Sequence, residues 1–357
     1  MRTTRWLIGS LITLLIVVCL ITIAFQVRPT TESWTSYVAQ SPAQKNNPSL
    51  AITWLGTSTL LISDGDTTLL TDGYFSRVSK LDVATRSLSP NVARIDENLR
   101  AANIEKVDAV MVVHSHFDHV MDAPWVAMKT GAQLLGSEST ANVGRGAGMD
   151  EEDIRVVTPG AVMQYGNFEV IFLLSEHVPQ APWINRLTGM GEVISEPLSP
   201  PAPVDAWKEG ESYVLVVRHP AGNIVIQGSA GFAEGQLNGY QADIAFVSSV
   251  GLSRQAPGYT QDYVRNTVRA SGAKTVIPIH WDDFFVPLQA GTPALPYLME
   301  NLPASFTLLA EEAQKAGAAF EVIQPKQTIT FSNDSPVNDE KGMTTSDSTP
   351  HSVTSKN

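Results

Sequence analysis

Apolar residues are distributed in three different ways along the 357-residue chain. Residues 6–27 read WLIGSLITLLIVVCLITIAFQV, without one charged side chain. From residue 50 to residue 332 short apolar segments alternate with polar turns, while residues 333–357 contain almost no bulky apolar side chain. A chain folds only if it can bury apolar surface, so this pattern predicts a folded domain at 50–332 and a disordered tail after it.

The apolar run at 6–27 predicts a transmembrane helix, since about 20 apolar residues cross the hydrocarbon core of a bilayer. Two arginines lie in residues 1–5, so the positive-inside rule places that end in the cytoplasm. Residues 28–49 are polar and contain prolines, which is typical of a stalk. We therefore expect an uncleaved signal-anchor and a single-pass membrane protein, with the C-terminal domain outside the cytoplasm, in the periplasm or extracellular. A cleaved signal peptide is the alternative, although its apolar region is usually shorter, about 7–15 residues.

Within the domain, short apolar segments bounded by turn residues predict many strands. Strands are expected at 51–55, 59–63, 67–71, 107–113, 168–174, 213–217, 223–227, 244–248 and 275–279. Helices are expected at 92–102, 260–271 and 305–316, and a last hairpin at 319–323 and 327–331. Strands interspersed with helices in this way predict two sheets covered by helices.

Charge and cysteine content exclude some classes of protein. The formal net charge is −12, with 36 acidic against 24 Lys and Arg residues, so a nucleic-acid partner is not expected. The single cysteine, Cys19, lies in the apolar run, which excludes an intramolecular disulfide and a cysteine-based zinc site.

Four potential metal ligands occur within six residues directly after the predicted strand 107–113. They are His114, His116, Asp118 and His119, in the pattern H-x-H-x-D-H. Imidazoles packed this closely would repel one another if they were charged, whereas neutral imidazoles can share a divalent ion. The pattern therefore predicts a metal site, and a solvated histidine-rich loop is the less favoured interpretation.

Two more histidines follow apolar strands, where loops gather functional groups. His177 follows the strand at 168–174 and His280 follows the strand at 275–279. Since the H-x-H-x-D-H segment already implies a metal, we expect both to be further ligands. His219 lies in a predicted hairpin turn, and we expect it to be exposed and non-catalytic.

These segments together resemble the metallo-β-lactamase fold superfamily of metal-dependent hydrolases. More narrowly, residues 50–290 resemble the branch of the ascorbate-6-phosphate lactonase and the N-acyl-phosphatidylethanolamine phospholipase D. The segments that carry the resemblance are Trp54-Leu55-Gly56 with Ser58, 70–76 (LTDGYFS), the H-x-H-x-D-H segment, His177, 227–231 (QGSAG) and 278–281 (PIHW).

The resemblance implies an α+β fold, an αββα sandwich with the site at one edge between the sheets. It implies one metal site formed by His114, His116 and His177 and a second formed by Asp118, His119 and His280. Asp72 would lie beneath the metals and support a ligand. We expect one or two Zn²⁺ ions, with Mn²⁺ or Fe as alternatives, and iron-based redox chemistry is also known in this fold.

One position departs from the family pattern. Where the family commonly has an aspartate that bridges the two metals, this chain has Ser229. A hydroxyl is a poorer metal ligand than a carboxylate, and this leaves three interpretations. The site holds one metal in the three-histidine position, or it holds two with Glu234 or Asp282 compensating for the lost charge, or it is degenerate and inactive.

The expected chemistry is hydrolysis by metal-bound hydroxide, with Asp118 orienting the water or taking its proton. Residues 179–212 form a long insertion with six prolines, expected to be a lid or substrate wall, although a loop that only packs is the alternative. Trp183 and Trp281 are the candidate substrate contacts.

The resulting functional prediction is a membrane-anchored metal-dependent hydrolase. Its substrate would be a small molecule or lipid: a phosphodiester, a phospholipid-like molecule or a lactone. The alternative is a catalytically degenerate binding or envelope protein that keeps the fold.

Overall fold

Strands and helices alternate through the domain. The computed structural model describes residues 2–30, 34, 37, 49–85 and 87–331. The strands are β1 (Leu50–Trp54), β2 (Leu60–Ser63), β3 (Thr68–Thr71), β4 (Ala109–Met111), β5 (Gln133–Gly136), β6 (Ile154–Val156), β7 (Val162–Tyr165), β8 (Phe168–Ser175), β9 (Ser212–Arg218), β10 (Ile224–Gln227), β11 (Ile244–Ser248), β12 (Thr275–Ile279), β13 (Ala319–Phe320) and β14 (Thr328–Phe331). The helices are α1 (Arg2–Ala24), α2 (Lys80–Thr85), α3 (Val92–Ala101), α4 (Phe117–Val120), α5 (Ala123–Thr130), α6 (Glu138–Gly146), α7 (Pro182–Thr188), α8 (Tyr259–Val264), which continues into a π-type turn, and α9 (Leu302–Ala316).

The described strands form two seven-stranded sheets that are built alike. The first has the order β14-β1-β2-β3-β4-β5-β6 and the second the order β13-β12-β11-β10-β9-β8-β7. Each sheet has an antiparallel half, from β14 to β3 and from β7 to β10, and a parallel half beyond it. Parallel neighbours need crossover connections, and these supply the helices of the outer layers.

The side chains of β4 and of the two residues after it alternate between two apolar cores. Met111 and Val113 pack with residues of the second sheet, whereas Val110 and Val112 pack with α3 and α5. A strand with both faces buried must be apolar throughout, which explains the continuous apolar run before His114. The predicted αββα sandwich, with two sheets between outer helices, is confirmed.

The predicted C-terminal hairpin is wrong. β13 pairs with β12 in parallel, whereas β14 pairs with β1 in antiparallel fashion, so the segment 319–331 passes from the second sheet to the first. Two short apolar strands with a polar turn between them have the pattern of a hairpin, but each finds a free sheet edge instead.

The predicted transmembrane anchor at Trp6–Val27 is also wrong, and with it the single-pass membrane location. In the part of the chain that the structure describes, no helix combines the length and apolar character that spanning a bilayer requires. α1 ends at Ala24, three residues before the end of the uncharged run. Val27 is instead tied to the domain, since its carbonyl accepts a hydrogen bond of 3.0 Å from the Tyr297 N–H.

The other predicted segments remain predictions. Most of the stalk at 28–49 and the whole of the tail at 333–357 lie outside the described residues.

Candidate metal centre

The candidate ligands lie where strands end. His114 follows β4, and the single turn of α4 brings Asp118 and His119 back beside it. His177 follows β8 and His280 follows β12, with a left-handed backbone at His280 (φ 58°). Each strand ends at the same edge of the sandwich, so segments 166 residues apart in sequence meet there.

Two groups of three potential ligands form at this edge. His114, His116 and His177 make up the first group, and Asp118, His119 and His280 the second; within each group the ligand atoms lie within 4.8 Å of one another. The two groups adjoin, since the rings of His114 and His119 are 3.8 Å apart between centroids. The structure thus brings together all six residues for which the sequence predicted metal ligation.

The ring nitrogens of these groups fit a metal. Both nitrogens of His114 and Nε2 of His116 are buried without a hydrogen-bond partner among the described residues. In the second group His280 Nε2 lies 3.3 Å from His119 Nε2. Burying unpartnered polar atoms is costly, and two neutral ring nitrogens at that distance need a proton or a cation between them. A divalent ion in each group would give each of these rings a partner at one of its nitrogens.

Hydrogen bonds at the opposite ring nitrogen orient two of the imidazoles. Asp72 Oδ2 lies 2.8 Å from His119 Nδ1, and Asp72 Oδ1 accepts from the Val113 N–H at 2.9 Å. His177 Nδ1 donates to the Val178 carbonyl at 3.0 Å. Both arrangements leave Nε2 with its lone pair free for a metal. Asp72 therefore lies where the resemblance expects a supporting carboxylate, in a left-handed backbone conformation (φ 52°).

Burial keeps the first group of imidazoles neutral. It lowers the pKa of His114 well below 6.5, and the neighbouring histidines lower it further. Burial, with His177 beside it, also lowers the pKa of His116 to about 3. The pKa of His177 is lowered mainly by burial. Neutral imidazoles are the metal-binding form, so protons compete weakly for this group at neutral pH.

Asp118 belongs to the second group and remains a carboxylate. Burial by itself raises the pKa of Asp118, but His119 and a hydrogen bond from His280 outweigh burial and hold the pKa below its ordinary value. Asp118 Oδ2 lies 3.4 Å from His280 Nε2 and 3.8 Å from His119 Nε2. Burial is the largest influence on the pKa of His119 and lowers it, but the carboxylates of Asp72 and Asp118 together raise it by more, so the net pKa is raised.

Ser229 is hydrogen-bonded to the loop that follows β8. Its Oγ accepts a hydrogen bond of 3.0 Å from the Val178 N–H and so holds the loop that carries His177. Neither acidic residue proposed from the sequence replaces the missing carboxylate. Glu234 is exposed, and Asp282 is a buried partner of Arg77 (2.6 Å) that also accepts from the Thr57 N–H.

The two predicted substrate contacts, Trp183 and Trp281, and the predicted exposed histidine, His219, lie in different environments. Trp183 lies on α7 of the insertion, with 69% of its surface exposed, so it is free to contact a substrate. Trp281 is only 1% exposed and packs between Trp54 and Phe306, so the structure does not bring it to the site, contrary to the prediction. His219 is not exposed either, because its side chain packs on Phe168 and lies 3.4 Å from Asp64.

Some residues near the site were missed from the sequence. Phe284 packs against the ring of His280 (5.2 Å), and Phe285 stacks on Phe284 (4.3 Å) and faces Phe117. The aromatic pair directly after H-W-D-D was a signal for them. Glu209 of the insertion is buried, and an acidic residue in a polar stretch gives no sequence signal of burial.

An αββα sandwich with adjoining His/Asp groups at its edge defines the class of metallo-β-lactamase-fold metal-dependent hydrolases. The family model described as "Beta-lactamase superfamily domain" matches residues 51–280, and the chain belongs to this family. The superfamily and the metal-dependent hydrolase class predicted from the sequence are confirmed. The narrower resemblance to the lactonase and phospholipase branch stays a prediction.

Curated relatives are similar over most or part of their length. A UPF0173 metal-dependent hydrolase of Myxococcus xanthus is 26% identical over 262 residues, which cover 71% of this chain and 77% of the relative. A UPF0173 protein of Pyrococcus furiosus is 26% identical over 128 residues, 36% of this chain and 50% of that protein.

The solved structures to which the chain is similar include a metallo hydrolase and a metallo-β-lactamase-fold protein. Igni18, a metallo hydrolase of Ignicoccus hospitalis, has a TM-score of 0.48 at 12% identity and covers 79% of this chain and 98% of its own. YhfI of Bacillus subtilis has a TM-score of 0.45 at 14% identity, with coverages of 78% and 98%.

Proposed function

We propose that this metal-dependent hydrolase cleaves phosphodiesters that carry an apolar substituent, phospholipid-like molecules among them. The observation that carries the proposal is the adjoining pair of ligand groups, with the rings of His114 and His119 only 3.8 Å apart between centroids. If each group held a divalent ion, the pair would supply positive charge to stabilise the oxygens of a phosphodiester. When bound, a divalent ion supplies an activated water at neutral pH and polarises the oxygen under attack.

The chain's own residues divide the remaining work. His114, His116 and His177 would hold one ion, and Asp118, His119 and His280 would hold a second. Asp118 has a side chain that is 12% exposed, so its Oδ2 can accept a proton from the attacking water or orient that water. Asp72 fixes the orientation of the His119 ring by accepting a hydrogen bond from its Nδ1–H group.

Aromatic side chains beside the ligands support an apolar leaving group. Phe284 packs on His280, and Phe285 continues this wall towards Phe117. Trp183 stands exposed on the insertion. Concave sites with apolar walls and a few convergent polar groups are typical of small-molecule binding.

The experiment is hydrolysis of bis(p-nitrophenyl) phosphate by the full chain loaded with zinc, compared with an aryl lactone. We expect turnover of the phosphodiester, and Asp118→Asn should reduce kcat by about 100-fold or more, since it removes the proton acceptor. Asp150→Asn, at an exposed position, is the matched control and should leave kcat unchanged.

Two outcomes would contradict the proposal. Turnover of the lactone alone would overturn the substrate class. Zinc binding without turnover of either substrate would instead favour the binding-protein alternative.

A further inference from the structure

The three-histidine group has no carboxylate ligand of its own to offset the charge of an ion, since the site's carboxylate ligand, Asp118, belongs to the second group. Ser229 is neutral and its Oγ is already engaged with the Val178 N–H. Asp282 is matched by the positive charge of Arg77, and Glu234 is exposed. The ligands His114, His116 and His177 carry no negative charge when they are neutral, so a buried anion nearby would stabilise a dication among them.

Glu209 is a buried anion that has no cation partner. It is 8% exposed, and its Oε2 accepts from the Gly191 N–H at 2.8 Å while its Oε1 accepts from the Ser212 hydroxyl at 2.8 Å. Among the described residues no Lys, Arg or His forms an ion pair with it, and its neighbour Lys208 pairs with the exposed Glu192. Neutral hydrogen bonds alone compensate poorly for a buried charge, so Glu209 is suited to a positive charge that the protein itself does not supply.

Hydrogen bonds hold Glu209 against the three-histidine group. Its carbonyl accepts a hydrogen bond of 2.7 Å from the N–H of Ser115, the residue between His114 and His116. Ser212, which binds the carboxylate, begins β9, and the next N–H, that of Tyr213, donates to the Val113 carbonyl just before His114. Close packing fixes this junction, because a Cβ at Gly210 would lie 2.8 Å from Ser139 Oγ.

We propose that Glu209 is a positioning residue of the metal centre, and that its carboxylate supplies from the insertion the negative charge that Ser229 does not. It stabilises a divalent cation held by His114, His116 and His177. This inference rests on the proposed metal site and adds a role for the insertion, which then contributes to metal affinity as well as to the substrate wall.

The test is zinc affinity, measured on the full chain by competition with a chromophoric chelator. Glu209→Gln keeps the shape and one hydrogen-bond acceptor but removes the charge, and it should weaken zinc binding about 10- to 100-fold, as expected for a group that supports a metal ligand. Glu192→Gln removes the same charge from an exposed position of the insertion and should bind zinc like the wild type.

A second variant separates charge from shape. Ser229→Asp restores a carboxylate at the family's usual position, so the double variant Glu209→Gln/Ser229→Asp should regain most of the lost affinity. Thermal unfolding of every variant shows which of them remain folded.

The outcomes distinguish this inference from the proposed function. A wild type that binds no zinc would overturn the proposed metal site itself. Wild-type affinity in Glu209→Gln would overturn only the role of Glu209. An affinity that stays low in the double variant would also overturn it, since the loss would then come from altered packing.

Discussion

At the scale of single residues, the metal centre depends on side chains that control imidazole protons. Asp72 and the Val178 carbonyl each accept from an Nδ1, so His119 and His177 both present Nε2. His114 has no such partner in the described part of the chain, and close packing among the other rings holds it in place. Hydrogen bonds therefore orient one ring in each group, whereas packing orients His114.

Asp72→Asn should weaken metal binding with little loss of stability. Asparagine tolerates the left-handed backbone at this position, and its oxygen can still accept from Val113 N–H. The amide NH2 then faces His119 Nδ1 and cannot accept its hydrogen bond as the carboxylate does, so zinc affinity should fall about 10- to 100-fold. Chelator competition measures the affinity, and an unchanged affinity would contradict the supporting role of Asp72.

Asp122→Asn should change how stability depends on pH. Burial raises the pKa of Asp122 to about 6, even though Ser76 and Phe75 donate hydrogen bonds to it. Because the folded state then binds this proton more tightly than the unfolded chain, ionised Asp122 costs stability above pH 6 and this cost disappears as pH falls towards 4.

Urea unfolding of the wild type and of Asp122→Asn between pH 4 and pH 7 measures this effect. Relative to the variant, the wild type should gain on the order of 2 kcal/mol as pH falls across that window. Asp122→Asn also loses hydrogen bonds, which changes its free energy of unfolding by an amount that does not vary with pH. A constant difference between the two proteins would show that the pKa of Asp122 is not raised.

At the scale of elements, the sequence indicated the strands that lead into the site better than those at the sheet edges. The strands at 244–248 and 275–279 are observed as predicted, because central parallel strands are continuous apolar runs. β5, β6 and β7 were missed, since each has only three or four residues, and β6 and β7 are also largely exposed. Pairing partners such as those of β13 and β14 depend on which sheet edges are free, and this is not encoded locally.

Trp183→Ala tests the insertion as a substrate wall. The side chain lies on α7 with 69% of its surface exposed, so its loss should leave the melting temperature unchanged. If it covers an apolar substituent of the substrate, KM should rise roughly 3- to 10-fold with kcat little changed. Leu308→Ala, at an exposed position on α9, is the control and should leave KM unchanged. An unchanged KM in Trp183→Ala would indicate that the insertion only packs.

At the scale of the whole molecule, the sandwich explains why ligands so distant in sequence converge. β4, β8 and β12 belong to two sheets that share one apolar core, and each ends at the same edge. The histidine motif and the strands before it made this convergence predictable. The buried Glu209 and the engaged Ser229 were not predictable, because both depend on how the insertion packs against the sandwich.

The most direct test of the account is the metal content of the full chain, measured by elemental analysis after purification and equilibration with zinc. The account predicts one or two zinc ions per chain, a loss of at least one in His116→Ala, and no loss in His219→Ala, which removes an imidazole from the β9–β10 turn. A wild-type chain without bound metal, or equal metal content in His116→Ala and the wild type, would contradict it.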